Sequence, residues 1–496
     1  MKYLLALDQG TTSSRAIVFD EQGHAVSSAQ QEFEQIFPSP GHVEHNPEAI
    51  WKSQIETAKE ALDTNAIPDS EIAAIGIANQ RETVVLWDKK SGQPVCNAVV
   101  WQSRITDPIC KRLKADQLDS FIREKTGLVI DAYFSGTKIQ YLLDNISGLR
   151  RRAEQGEILF GTVDSFLIWR LTNGRVHATD VTNASRTMLF NIHTQEWDRE
   201  LLDLLKIPEC MLPEVMPSSG IIGHSDPSIF GREIPIAGCA GDQQAATFGQ
   251  ACFSPGDAKN TYGTGCFMLL NTGEQAVTSQ LGLLTTIGWK IGKTTTYCLE
   301  GSVFIAGAVV QWLRDGIGII EESAQVTQLC DSVHDNGGVY FVPAFVGLGT
   351  PYWDSSARGT IIGITRGTTS GHIARAAIQS MAFQSMDVLD AMQQESGVKL
   401  TRLKVDGGAT VNNSLLSFQA GLLGVPVLRP QIQETTALGA AFLAGLATGV
   451  YADMDEIAEH WTLDREFQPA MSVNQRENLS ADWHHAVRAA RGWIRD

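Results

Sequence analysis

Leu7-Asp8-Gln9-Gly10-Thr11-Thr12-Ser13-Ser14-Arg15 is the stretch whose reading decides the fold. A short apolar run, residues 4–7, leads into a glycine and four consecutive hydroxyl side chains, and a second apolar run, residues 16–19, leads away from them. The pattern is strand, tight turn, strand: a β-hairpin with an unusually hydroxyl-rich turn. Backbone N–H groups and hydroxyls in such a turn can converge on an anion and hold phosphate without net positive charge. The plainer reading is an ordinary hairpin turn in which Asp8 and Thr11 bond nearby backbone.

Working outward, residues 47–62 have helical periodicity, with Asn46 placed as N-cap and Pro47 at the first helical position. Strand candidates follow at residues 72–78, 84–87 and 98–101, so strands and helices alternate in an α/β manner. A second cycle begins with a strand at 234–237, a turn at 238–242 and a short helix at 243–248. Asn260-Thr261-Tyr262 then enters Gly263-Thr264-Gly265 and the apolar run 266–270, again strand, turn, strand. Leu403-Lys404-Val405 enters Asp406-Gly407-Gly408-Ala409, and Asn412-Asn413 opens a helix through residue 423. Strands thus feed Gly- or hydroxyl-rich turns three times, and a boundary near residue 250 divides the chain into domains 1–249 and 250–496.

The 496 residues, 43% of them hydrophobic, suffice for two full cores. With 39 Lys+Arg against 56 Asp+Glu, the net charge of -17 has the wrong sign for nucleic acid or an anionic membrane surface. No run reaches the roughly 18 apolar residues of a membrane span; the nearest, residues 437–452, is broken by Gly439, Gly445, Thr448 and Gly449. The N-terminus has no room for a secretory signal, and eight scattered cysteines without C-x-x-C argue against disulfides and zinc, so a cytoplasmic protein is expected. Neither G-x-x-x-x-G-K-[S/T] nor a Rossmann G-x-G-x-x-G is present.

The hydroxyl-rich turn resembles the first phosphate turn of the FGGY carbohydrate kinases, and Asn79-Gln80-Arg81-Glu82-Thr83 resembles that of the glycerol-phosphorylating members. Two family signatures are similar as well: Tyr133-Phe134-Ser135-Gly136-Thr137-Lys138 with Leu142-Leu143-Asp144-Asn145, and Gly359-Thr360-Ile361-Ile362-Gly363-Ile364 leading to His372-Ile373-Ala374-Arg375. Tyr141 departs from the Trp usual in the first. With Ala240-Gly241-Asp242-Gln243-Gln244 and Val405-Asp406-Gly407-Gly408 in order, the resemblance covers essentially the whole chain. It implies an α/β fold of two actin-like (ribonuclease H-like) domains flanking a cleft. It further implies ATP-dependent phosphorylation of glycerol to sn-glycerol 3-phosphate, with Mg²⁺, in a dimer or tetramer. By the same resemblance Arg81, Glu82, Tyr133, Asp242 and Gln243 bind the acceptor hydroxyls, Trp101 and Phe267 wall its carbon chain, and Asp242 is the general base. Asp8 holds Mg²⁺ through water. Thr11, Thr12, Ser13, Arg15 and Thr264 take the phosphates, and Gly307, Gln311, Gly408 and Asn412 surround ribose and adenine.

The residues make chemical sense for these roles. Adjacent Arg81 and Glu82 would point opposite ways on a strand, but a bend between two strands turns both inward. Arg offers donors and Glu acceptors, which suits a polyol whose hydroxyls are both. An exposed ion pair in a turn would also explain them, as a helix N-cap would explain Asp242 and core packing Trp101 and Phe267. Gly408 lets a base or ribose approach the backbone, and Gly307 and Gln311, four apart in the apolar segment 303–313, share a helix face. Two alternatives stay open: a kinase for another polyol or a ketose, and an actin-like ATPase that phosphorylates no metabolite. The latter gives Arg81, Glu82, Tyr133 and Asp242 no shared task.

Overall fold

In the computed structural model, which describes residues 2–494, the opening hairpin pairs Tyr3–Gln9 with Ser13–Phe19 and sets Asp8 opposite Arg15. The first strand runs through Asp8 and Gln9, so the turn shrinks to Gly10-Thr11-Thr12. Leu4 to Leu7 are buried consecutively, as in a strand covered on both faces.

The hairpin belongs to a 13-stranded sheet. In its first half Ala25–Glu32, Ser13–Phe19 and Tyr3–Gln9 are antiparallel neighbours, after which Ile72–Asn79 and Pro235–Gly241 add parallel to Tyr3–Gln9. The second half repeats this: Thr294–Val303, Cys266–Gly273 and Asp257–Tyr262 are antiparallel, and Arg402–Asp406 and Val427–Pro430 add parallel to Asp257–Tyr262. The duplicated topology, faint in the residues themselves, is that of two actin-like (ribonuclease H-like) units. Helix Pro47–Thr64 forms where expected, the Asn46 side chain accepting the Glu48 amide.

Two local readings are corrected. Residues 238–242 make no turn: the strand Pro235–Gly241 passes directly into helix Asp242–Gly249, Gly241 occupies the N-cap, and Asp242 is the first helical residue. Gly307 and Gln311 fall together, four apart as expected, in the helix Gly307–Asp315, which begins after a strand that ends at Val303. Only Ala98–Val99 of 98–101 is strand; it pairs with Glu44–His45, and Val85–Asp88 pairs with Ile158–Gly161, both outside the main sheet.

The apolar run near residue 440 is the helix Thr435–Ala447, buried from Ala437 through Gly445. It lies against the strands of the first half and across helix Asp242–Gly249. A Cβ at Gly439 would collide with the Ala245 carbonyl, and one at Gly238 would sit 2.5 Å from the Ala444 nitrogen, so glycine is what permits this backbone-to-backbone approach. Burial on all sides explains a helix without a polar face. Among the described residues no helix is long and apolar enough to cross a membrane.

Candidate active site

Parallel strands Tyr3–Gln9, Ile72–Asn79 and Pro235–Gly241 are in register at their carboxyl ends, where Gln9 and Gly241 both face Asn79. Open α/β sheets bind ligands at such ends. One end feeds the hydroxyl turn, the next the Arg81-Glu82 segment, and the third Asp242.

The Arg81-Glu82 segment is a tight bend. The Thr83 amide donates to the Arg81 carbonyl at 2.7 Å, and Glu82 at its apex has φ of 61°. A non-glycine residue there carries backbone strain of about 1–3 kcal/mol, so the surroundings must hold it. They do: Ser135 Oγ and Lys138 Nζ donate to the Glu82 carbonyl at 3.0 and 3.2 Å, and Lys138 Nζ also donates to the Tyr133 carbonyl at 2.6 Å. Burial lowers the Lys138 ammonium to about 7, and a neutral amine keeps two N–H groups for these two carbonyls. Far from being an exposed pair, Arg81 and Glu82 are buried.

Around them the acceptor residues named from sequence converge. Arg81 Nε lies 3.2 Å from Asp242 Oδ1, and Arg81 Nη2 donates to Tyr133 Oη at 3.3 Å. Gln243 Nε2 donates to Asp242 Oδ2 at 3.2 Å, while its carbonyl takes a 2.5 Å bond from the buried Lys259. The rings of Trp101 and Tyr133 stand edge to face at 5.6 Å and those of Trp101 and Phe267 at 6.4 Å, all three only partly buried. Trp101 Nε1 donates to Thr11 Oγ1 at 3.0 Å, tying this aromatic wall to the hydroxyl turn.

Asp8 stands near the carboxyl end of its strand, paired with Arg15 and Ala78. Burial above all, with the like charges of Asp242 and Glu434, raises its carboxyl to about 7 against the pull of Arg15. A carboxyl at the end of this strand is a hard oxygen donor of the kind Mg²⁺ takes, directly or through water. Arg15 is held by Gln30 Oε1, at 2.7 Å from Nη2, and by Glu434. Ser13 Oγ accepts from Gln30 Nε2 at 2.9 Å, and Thr12 is exposed at the tip of the turn.

Thr264, Gly307, Gln311, Gly408 and Asn412 line one cavity of about 430 Å³, made wholly by the second half of the chain. Thr11, Thr12, Ser13 and Arg15 are outside its lining. A Cβ at Gly307 would meet the Gly263 carbonyl at 2.6 Å, so this glycine serves close packing of the helix on the second turn; a Cβ at Gly408 would meet nothing within 4 Å and would project into open space. Thr327, which accepts from Asn412 Nδ2 at 3.2 Å, also lines the cavity and was not anticipated.

Behind the bend, Asp164, Asp180 and Cys239 form a buried cluster. Its carboxylates are engaged by Thr162, Thr179, Thr182, Asn183 and Ser218. Asn183 exchanges 3.0 Å bonds with Asn79, and Thr182 Oγ1 accepts the Gly241 amide at 2.9 Å. The cluster therefore braces the two strand ends that present Arg81 and Asp242.

The model for the FGGY family of carbohydrate kinases, N-terminal domain, matches residues 3–249, and that for the C-terminal domain matches residues 258–448. The chain belongs to the FGGY family of carbohydrate kinases. Relatives of this FGGY chain include glycerol kinase 2 of Thermotoga maritima, 62% identical over 493 residues and 99% of each chain, and a glycerol kinase of Burkholderia ambifaria, 57% identical over 100% of this chain and 99% of that one. The crystal structure of Plasmodium falciparum glycerol kinase with ADP is 34% identical with a TM-score of 0.94, covering 100% of this chain and 99% of that one. A ligand-bound xylulose kinase from Lactobacillus acidophilus, 23% identical with a TM-score of 0.88 over 99% and 97% of the chains, shares the FGGY fold.

Proposed function

We propose that this protein transfers the γ-phosphoryl group of ATP to a terminal hydroxyl of glycerol, giving sn-glycerol 3-phosphate. The observation that carries the reading is the convergence of Arg81, Glu82, Tyr133 and Asp242 in one largely buried cluster, at the strand ends that also carry the hydroxyl turn. Relatives 57–62% identical over the whole chain bear the name glycerol kinase, which supports the same acceptor.

In this reading Arg81 donates to glycerol oxygens and Glu82 accepts from their hydroxyls, while Trp101 and Phe267 cover the carbon chain. Asp242 takes the proton of the attacking hydroxyl; because the transition state is loose, its placement matters more than its basicity. The cavity holds the nucleoside between Gly307, Gln311, Gly408 and Asn412, while Thr264 meets the phosphates from the second half and Thr11, Thr12, Ser13 and Arg15 meet them from the first. Mg²⁺, held by Asp8 through water, would supply charge neutralisation at the phosphates. Residues 1–249 then form the acceptor and first-turn domain and 250–496 the second-turn and adenosine domain. Eight free cysteines suit a cytoplasmic setting, and a dimer or tetramer is the expected assembly.

A coupled ADP-release assay with glycerol, dihydroxyacetone, xylulose or no acceptor tests the proposal. Glycerol should give the highest kcat/KM. A ketose that outperforms glycerol moves the acceptor assignment, and a rate indifferent to every acceptor removes the kinase assignment.

A further inference from the structure

Arg81 and Glu82 are themselves held by two charged residues with no part in any motif above. Arg186 and Glu300 are fully buried, each at 0% exposure. Glu300 Oε2 accepts from Arg81 Nη1 at 2.5 Å, and Glu300 Oε1 accepts from both Arg81 Nη2 at 3.1 Å and Arg186 Nη2 at 2.9 Å. Arg186 Nε donates to Glu82 Oε1 at 2.6 Å, and Arg81 Nε closes the square at 3.8 Å from the same oxygen. The guanidinium of Arg186 also lies 5.6 and 5.4 Å from the ring centres of Tyr133 and Phe134.

The square alternates two guanidinium groups with two carboxyl groups. Burial alone would raise the Glu300 carboxyl, but Arg186 and Arg81 outweigh it and hold the group at about 2, fully ionised. Buried ion pairs of this kind contribute little to stability compared with apolar packing of the same volume, so the arrangement calls for another explanation. Its geometry supplies one. By taking one N–H from each Nη of Arg81, Glu300 fixes the plane of the guanidinium so that Nε faces Asp242 and Nη2 faces Tyr133. Without it Arg81 would be free to turn and fork onto Asp242, the preferred pairing of guanidinium with carboxylate. Arg186 likewise fixes one oxygen of Glu82.

We propose that Arg186 and Glu300 are positioning residues of the acceptor site, which orient Arg81 and Glu82 so that a polyol meets a preset donor and acceptor; this rests on glycerol being the acceptor. Glu300 stands on strand Thr294–Val303 of the second half, so acceptor geometry depends on both halves of the chain.

The test is steady-state kinetics of the full-length wild type, Glu300→Gln and Arg186→Lys, varying glycerol at saturating Mg-ATP and ATP at saturating glycerol. Thermal melts with and without Mg-ATP establish folding. Glu300→Asp, which keeps the charge but shortens the reach, takes the place of Glu300→Gln if the latter does not fold. Glycerol KM should rise on the order of tenfold or more, the scale expected for misplacement of binding groups by a fraction of an ångström, with ATP KM within twofold. Arg186→Lys, which retains charge without the fork, should fall between wild type and Glu300→Gln. A role in stability alone predicts lower apparent kcat with both KM values unchanged. That outcome, or a proportional rise in both KM values, overturns the inference while leaving the acceptor assignment intact. Wild-type protein without glycerol-dependent ADP release overturns the acceptor assignment and the inference with it.

Discussion

Asp242 opens its helix with a side chain one-third exposed and an oxygen 3.2 Å from Arg81 Nε, so its carboxylate is anchored on one side and open on the other. Asp242→Asn preserves size and most hydrogen bonding but cannot take a proton. The variant should melt like wild type and bind ATP, yet lose roughly 10²–10⁴ in turnover, the usual worth of a placed base; turnover near wild type would remove Asp242 from the proton transfer. Lys138 makes a second prediction at this scale. Its ammonium, ordinarily above 10, is lowered by burial to about 7 in the folded chain. Between pH 7 and 10 the unfolded chain therefore binds more protons than the folded one, and stability due to this group rises with pH across that window. Lys138→Met, which has no proton to lose, should cost about 2 kcal/mol more stability at pH 9 than at pH 6.5. Denaturant melts at the two pH values measure the gap, and an equal cost at both would show that Lys138 is charged in the fold.

At the scale of elements, the turn Gly408–Val411 presents bare backbone to the cavity of the second half. Gly408→Ala adds a methyl that meets no protein atom within 4 Å, so the melting temperature should hold or rise slightly while ATP KM rises severalfold and glycerol KM stays put. An unchanged ATP KM would place the nucleotide elsewhere. How far each element could be read from sequence follows from how local its cause is. The hairpin Tyr3–Gln9/Ser13–Phe19, helix Pro47–Thr64 with its Asn46 cap, and helix Asn413–Leu423 with its Asn412 cap are dictated by neighbours a few residues away, and sequence located all three. Asp242 could be singled out, but not as the first residue of a helix running straight from a strand, because four small residues before it imitate a turn. The acceptor residues were legible as a motif. Glu300 and Arg186 were not, since a lone acid in the run Tyr297-Cys298-Leu299-Glu300 carries no sign of a partner at position 81. Lys259, bonded to Gln243, and the Asp164–Asp180 brace were missed for the same reason.

At the scale of the molecule, the proposed function takes its acceptor residues and hydroxyl turn mainly from the first half and its nucleoside cavity from the second, and in that reading a closing of the halves would shut out water that otherwise takes the phosphoryl group. Small-angle scattering should show a smaller radius of gyration with glycerol and a non-hydrolysable ATP analogue than without; identical curves would mean that the site is already assembled. The helix Thr435–Ala447 bears on a different moment in the life of the chain. It covers strands made from residues 3–9, 72–79 and 235–241, yet it is translated long after the last of them. During synthesis the first half therefore waits on the ribosome with an apolar sheet face bare until residues 435–447 have followed it out. That long interval of exposure makes the nascent chain a natural client for chaperones, and it makes premature termination shortly before residue 435 more damaging to the first half than its own intact sequence would suggest.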